Sequence, residues 1–143
     1  RFLCEEGIDD RHVVRLGDRS GFGIGFIAPN DENFRAAYPG ANVLLRAEHL
    51  SGALESLGRE DWVYAGFEIN EKPILASFRY AHQQGAHTVL NPSPWRFPDL
   101  ALSKVTDILM VNRSEAALLL GLDSGTARSP QLWSSLLSEW IAR

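Results

Sequence analysis

From Leu44 onward the chain alternates between two apolar periods, and that alternation narrows the fold more than any other feature. Leu50, Ala53, Leu54 and Leu57 recur at helical spacing, and Gly58 follows as a stop signal. Trp62 to Phe67 then reads as a short buried strand. Pro73 suits the first turn of a helix, Leu75 and Phe78 share one face of it, and Gly85 closes it. Thr88 to Leu90 makes the next strand, ahead of a loop carrying Pro92, Pro94 and Pro98. Ile108 to Val111 is a third strand, followed by a helix from about Ser114 to Leu120 that Gly121 ends. A loop of Asp, Ser, Gly and Thr leads to a last helix after Pro130, with an apolar stripe of Trp133, Leu136, Leu137, Trp140 and Ile141. Strands and helices in this order predict parallel strands with right-handed crossovers, hence an α/β layered fold.

The first part of the chain has a different period. From Val13 to about Asn42 the pattern repeats every second residue. Phe22, Ile24 and Phe26 alternate with Gly21, Gly23 and Gly25, so one face is large and apolar and the other is bare. Pro29 to Asn33 supplies turn residues, and Phe34 to Tyr38 returns as a second strand. The result is a β-hairpin. Its glycine face leaves room for a ligand or another backbone, while strand glycines also mark bulges or bends.

Charge and composition exclude several classes. Lysine plus arginine number 14 against 18 acids, for a net charge of -4, and no dense basic run occurs. Wrapping of nucleic acid or docking on anionic lipid is not expected. Apolar runs are too short to span a membrane. The lone Cys4 cannot form an internal disulfide, which fits a reducing cytoplasm, and His12, His49, His82 and His87 lie too far apart for a structural zinc site. No nucleotide-binding G-x-G-x-x-G, Walker loop or G-x-S-x-G elbow is present. Residue 1 is arginine, so a trimmed start or a fragment is expected.

Ligands of open parallel sheets bind beyond the carboxyl ends of the strands, so the informative positions follow each strand. These are Glu68, Asn91 and the run Asn112 to Glu115. Glu68 suits a sugar hydroxyl or a cation, and equally an acid near a helix start, favoured by the helix dipole. Asn112-Arg113-Ser114-Glu115 opens a helix directly after a strand, where anions are favoured and a carboxylate can hold magnesium through water. The same four residues are also a capping box, which needs no ligand.

Six short stretches stand in order: Gly7-Ile8-Asp9, Arg19-Ser20-Gly21, Tyr38-Pro39-Gly40-Ala41-Asn42, Phe67-Glu68, Asn91-Pro92-Ser93-Pro94 and Asn112-Arg113-Ser114-Glu115. Together they resemble the ribokinase (PfkB-type) family of carbohydrate kinases across nearly the whole chain. The first is similar to the family's G-[VI]-D turn before its lid strands, and the second to the Thr-Thr-Gly step that begins the next lid strand. The third matches P-G-A-N at the return into the core. The fourth stands where a substrate-contacting glutamate occurs, and the last two match N-P-A-P and N-x-x-E.

The resemblance implies a Rossmann-type parallel core, here incomplete, with a small β lid. Residues 1–43 would form the lid-associated segment and residues 44–143 part of the core. It implies ATP and Mg2+ as cofactors and a sugar or nucleoside-like acceptor. Glu68, Asn42 and Gly40 would contact substrate, and Phe22, Ile24 and Phe26, or the glycine face opposite, would close the lid. Asn112 would serve the phosphates, Glu115 the metal through water, and the lid sheet a homodimer contact. Family members are about twice as long, and their N-terminal sugar-gripping part, G-A-G-D anion hole and catalytic aspartate have no counterpart in this sequence. Arg19 replaces the usual threonine, and Arg113 stands inside N-x-x-E. The expectation is the middle of a sugar kinase, inactive or nearly so by itself and prone to aggregate or to pair with its missing half through exposed sheet surface. The alternative is a non-catalytic binding or assembly module derived from one.

Overall fold

Two sheets form, one from each part of the chain. The computed structural model describes residues 2–17, 19–27, 33–122 and 129–141, with backbone alone at 33–35 and 139–141. A single helical turn, α1 (Phe2–Glu5), precedes an antiparallel hairpin of β1 (Phe22–Ile27) and β2 (Asn33–Tyr38). Six consecutive pairs run from Phe22 opposite Tyr38 to Ile27 opposite Asn33. That register is unbroken, so Gly23 and Gly25 mark no bulge, contrary to one of the two readings of strand glycine. Residues 28–32, most of the expected turn, lie outside the described residues. None of the described residues from Val13 to Ser20 is in a strand either. A turn bond from Val13 N–H to the Asp10 carbonyl (2.9 Å) and the positive φ of Gly17 (66°) keep that stretch irregular.

The second sheet has three parallel strands in the order β3 (Trp62–Gly66), β4 (His87–Asn91) and β5 (Ile108–Leu109). This is the expected α/β core of parallel strands. β5 is shorter than the expected Ile108 to Val111. After one further bond, Met110 N–H to the Leu90 carbonyl (2.8 Å), the chain leaves the sheet toward Asn112, where the next helix begins.

Helix α3 (Glu71–Gln84) covers one face of this sheet with Pro73, Ile74, Ser77, Phe78 and Ala81. Gly85 ends it in the left-handed region (φ 74°), and Ala86 N–H closes back to the Ala81 carbonyl (2.9 Å). Phe67, Ile74, Phe78, Leu90 and Leu102 form the buried core, with Val63, Ala65, Leu75, Val105 and Leu109 packed against it. Leu102 comes from a short helix the periodicity did not predict, α4 (Leu100–Ser103), whose N-cap Asp99 accepts from Ala101 N–H at 2.7 Å.

The expected helix through Leu50 and Leu57 is broken. Ala47–Leu50 is a 3-10 turn and α2 covers only Ser51–Leu54. The Ser51 hydroxyl donates to the Glu48 carbonyl (3.2 Å) and the Ser56 hydroxyl to that of Ala53 (2.9 Å), while Gly52 has a poor helix propensity. Helices α5 (Arg113–Leu119) and α6 (Pro130–Ile141) match expectation, although the 123–128 loop and the side chains of Trp140 and Ile141 lie outside the description. Among the described residues no helix is long and apolar enough to cross a membrane.

At the amino ends of the strands a polar staple joins three elements. Fully buried Thr88 donates its hydroxyl to the Val105 carbonyl (2.9 Å) and accepts from Asp107 N–H (2.9 Å). Asp107 in turn accepts from Thr88 N–H (2.8 Å) and pairs with His82 at 3.3 Å. Burial would raise the Asp107 carboxyl, but the Thr88 bonds and His82 outweigh it and hold it below its ordinary value.

Candidate functional site

The opposite end of the sheet carries the candidate residues. Register sets their order: Gly66 pairs with Asn91, and Leu90 with Leu109. The residues that follow β3, β4 and β5 therefore emerge along one edge. A cavity of about 300 Å³ opens there, lined by Asn91, Ser93, Met110, Val111, Asn112 and Glu115. It joins the ends of β4 and β5 to the first turn of α5.

Asn112 and Glu115 hold one another. The Asn112 side-chain oxygen accepts from Glu115 N–H, and Glu115 Oε2 accepts from Asn112 N–H, both at 2.9 Å. The capping-box reading is thus realised. It does not exhaust these residues, because both also line the cavity. Glu115 is only 8% exposed, and Oε1 has no hydrogen-bond donor among the described residues.

Mg2+ commonly takes one or two carboxylates, with waters and phosphate oxygens completing its shell. Among the described residues no three His, Cys, Asp or Glu side chains cluster as a metal cage. A single carboxylate flanked by the amides of Asn91 and Asn112 fits an ion held largely by water and phosphate.

Glu68 stands in the turn after β3 with its side chain exposed. Its neighbours are immobilised. Phe67 is a core residue, and Arg96 Nη2 donates to the carbonyls of both Phe67 (3.1 Å) and Ile69 (3.4 Å). The Arg96 guanidinium also lies over the Phe67 ring, 4.6 Å from its centroid. A second tie crosses the same gap, from Asp99 N–H to Glu71 Oε1 at 2.8 Å.

Gly40 and Asn42 sit where the hairpin rejoins the core. Gly40 adopts φ 52°, and an added Cβ would fall 2.6 Å from Gly21 N and 2.7 Å from Arg19 O. Gly21 is equally confined, with Pro39 O 2.7 Å and Asn42 Nδ2 3.0 Å from the place of its absent Cβ. The two glycine-bearing stretches therefore interlock backbone to backbone, sealed by Ala41 N–H to the Arg19 carbonyl (2.9 Å). Asn70 Nδ2 reaches across to the Val43 carbonyl at 2.8 Å, which brings the Gly40–Leu44 turn beside the loop bearing Glu68. The hairpin's own apolar residues stay outside. Phe22, Ile24 and Phe26 are each about half exposed, and nothing lies within 4 Å of the place a Gly25 Cβ would take.

Two groups of candidates are thus assembled: Gly40, Asn42 and Glu68 near the β3 end, and Asn112 with Glu115 near the β5 end. Asn91 lies between them, its Nδ2 donating to the Tyr64 hydroxyl (3.2 Å). Sequence reasoning missed Ser93 and Met110 as cavity walls and Arg96 as a brace. Ser93 had a signal, since it follows a strand end by two residues. Arg96 had none, because its partners are main-chain carbonyls remote in sequence.

Comparison with known proteins follows this geometry. No family model matches the chain. A ribokinase of Staphylococcus aureus is 32% identical over 117 residues, which is 80% of this chain and 38% of that protein. The crystal structure of Sa239 superposes with a TM-score of 0.81 at 23% identity, covering 99% of this chain and 46% of that one. A ribokinase of Arabidopsis thaliana, solved with ribose and ATP, gives a TM-score of 0.62 at 17% identity over 85% of this chain and 39% of that one. The chain spans about two fifths of the length of the curated ribokinases it matches. Strand order, motif order and these likenesses agree, and the chain belongs to the ribokinase-like (PfkB-type) family of carbohydrate kinases.

Proposed function

We propose that this chain forms the acceptor-facing and phosphate-facing floor of an ATP-dependent kinase for a sugar or sugar-like hydroxyl. The observation that carries this reading is the arrival of Glu68, Asn91, Asn112 and Glu115 at one strand-end edge, where Asn91, Asn112 and Glu115 line a cavity of about 300 Å³. Glu68 accepts a hydrogen bond from a substrate hydroxyl, and the Gly40–Asn42 turn forms the adjoining wall. Asn112 and the first turn of α5 face phosphate oxygens. Glu115 orients water on magnesium, which neutralises phosphate charge when bound. In phosphoryl transfer, positioning and charge neutralisation supply most of the rate. No residue of the chain takes the role of catalytic base or anion hole on this reading, so the chain alone binds without turning over.

Calorimetric titration with pentoses, hexoses, nucleosides and Mg-ATP, beside an assay for ADP release, tests this. Glu68→Gln is expected to weaken sugar binding roughly tenfold to a hundredfold, the worth of one charge-assisted hydrogen bond. Glu115→Gln is expected to leave the melting midpoint nearly unchanged, since glutamine also completes a capping box, while weakening Mg-ATP. Unaltered sugar affinity in the first variant would sink the acceptor assignment. Turnover by the chain alone would overturn the claim of inactivity.

A second reading concerns assembly. Phe22, Ile24, Phe26 and Tyr38 share one face of the hairpin and are all about half exposed, with the Phe22 and Tyr38 rings 5.4 Å apart. Such a face, on a sheet with free edges, suits a second copy of the chain. Sedimentation is expected to show dimers in the micromolar range, and a strict monomer at high concentration would count against it.

A further inference from the structure

We infer that Arg96 is a positioning residue that holds the Glu68 carboxylate at a set height above the strand ends, and so helps decide which acceptor hydroxyl it meets. The inference rests on the reading of Glu68 as the acceptor contact. Its basis is that one nitrogen, Arg96 Nη2, donates to the two carbonyls on either side of Glu68, those of Phe67 and Ile69. Two bonds that bracket a single residue fix the direction of its Cα–Cβ bond more firmly than either bond could alone. The brace is itself anchored. Its guanidinium lies over the ring of Phe67, which is 5% exposed and part of the core, so the arginine cannot swing without leaving an aromatic face. At its other end the brace belongs to the loop that begins with Asn91 and Ser93 in the cavity wall. Arg96 therefore also joins the acceptor side of the edge to the phosphate side, with the Asp99–Glu71 bond as a parallel tie.

The alternative is that Arg96 only stabilises the fold. The two roles separate experimentally, because Arg96 is exposed and its removal opens no core cavity. In the full 143-residue chain, Arg96→Met keeps an unbranched side chain at the position and deletes both the donors and the guanidinium over the Phe67 ring. Its melting midpoint is expected to shift by only a few degrees. Backbone order parameters at Glu68 and Ile69, measured by nuclear magnetic resonance, are expected to fall from about 0.85 to below about 0.6. Those within β3 and β4 should not move. Affinity for whichever pentose or hexose binds the unaltered chain is expected to drop at least tenfold. The double variant Arg96→Met with Glu68→Gln should be no weaker than Glu68→Gln alone, since the arginine acts through the glutamate. Should Arg96→Met fail to fold, Arg96→Gln, polar but too short to reach either carbonyl, carries the same comparison. Unchanged order parameters at Glu68 and Ile69 would overturn the positioning role. Additive losses in the double variant would overturn its action through Glu68. If the unaltered chain binds no sugar, the acceptor reading fails, and the order parameters alone still decide whether Arg96 holds the turn.

Discussion

Replacing Phe78 with alanine is expected to remove about 3–5 kcal/mol of stability, the usual range for emptying a buried phenylalanine site. Phe78 has no exposed surface and stands at the centre of the only core cluster among the described residues, between α3 and the sheet. Its neighbours Ile74, Leu90 and Leu102 come from three separate elements, each tied elsewhere, so the site cannot collapse around the gap. The same elements carry the strand ends, and loosening α3 against the sheet blurs the spacing between Glu68 and Asn91. Against a typical total of about 5–15 kcal/mol, such a loss is a large fraction. Thermal or urea unfolding followed by circular dichroism would measure it. Phe97→Ala, at a residue 62% exposed, is the control and is expected to stay within about 0.5 kcal/mol. Equal effects of the two substitutions would mean that the core is not where the structure puts it.

Phe78 was legible in the sequence because helical spacing with Leu75 marks a buried face and Gly85 marks its end. The three parallel strands were legible for a similar reason: short apolar runs bounded by turn residues have few other uses. What the sequence concealed was local competition. Ser51 and Ser56 bond to nearby carbonyls and break the helix that Leu50 and Leu57 suggested, a contest that apolar spacing does not register. Helix α4 hid behind three prolines, though Asp99 before Leu100 was a cap signal. At the site, residue identity and strand-end position pointed to Glu68, Asn112 and Glu115. The mutual bonds of Asn112 and Glu115 were legible as a capping box, and their sharing of one cavity wall with Asn91 and Ser93 was not, since it depends on where those two residues arrive. Arg96 was invisible because a guanidinium reaching main-chain carbonyls leaves no pattern in side chains.

Gly40→Ala is expected to cost at least about 2 kcal/mol and to misplace the hairpin relative to the core. Two terms add. A left-handed backbone costs a non-glycine residue roughly 1–2 kcal/mol. The new methyl would also lie 2.6 Å from Gly21 N and Ser20 C, which are backbone atoms with no rotamer to move to. The strands of chain at 19–21 and 39–42 must therefore part, and the bond from Ala41 N–H to the Arg19 carbonyl goes with them, at about 0.5–1.5 kcal/mol. Gly25→Ala makes the contrast, since open space surrounds that position and an alanine suits a strand, so no loss is expected. The consequence for function follows from geometry. The Gly40–Leu44 turn is bonded through Val43 to Asn70, two residues beyond Glu68, so a displaced turn withdraws the wall that Asn42 gives the proposed acceptor site. Sugar affinity should fall in Gly40→Ala and hold in Gly25→Ala. Association through the hairpin face should fall with it, since that face is aimed by the same turn. A Gly40→Ala chain that melts, binds and sediments like the unaltered one would show that the interlocked glycines do not set the hairpin's position.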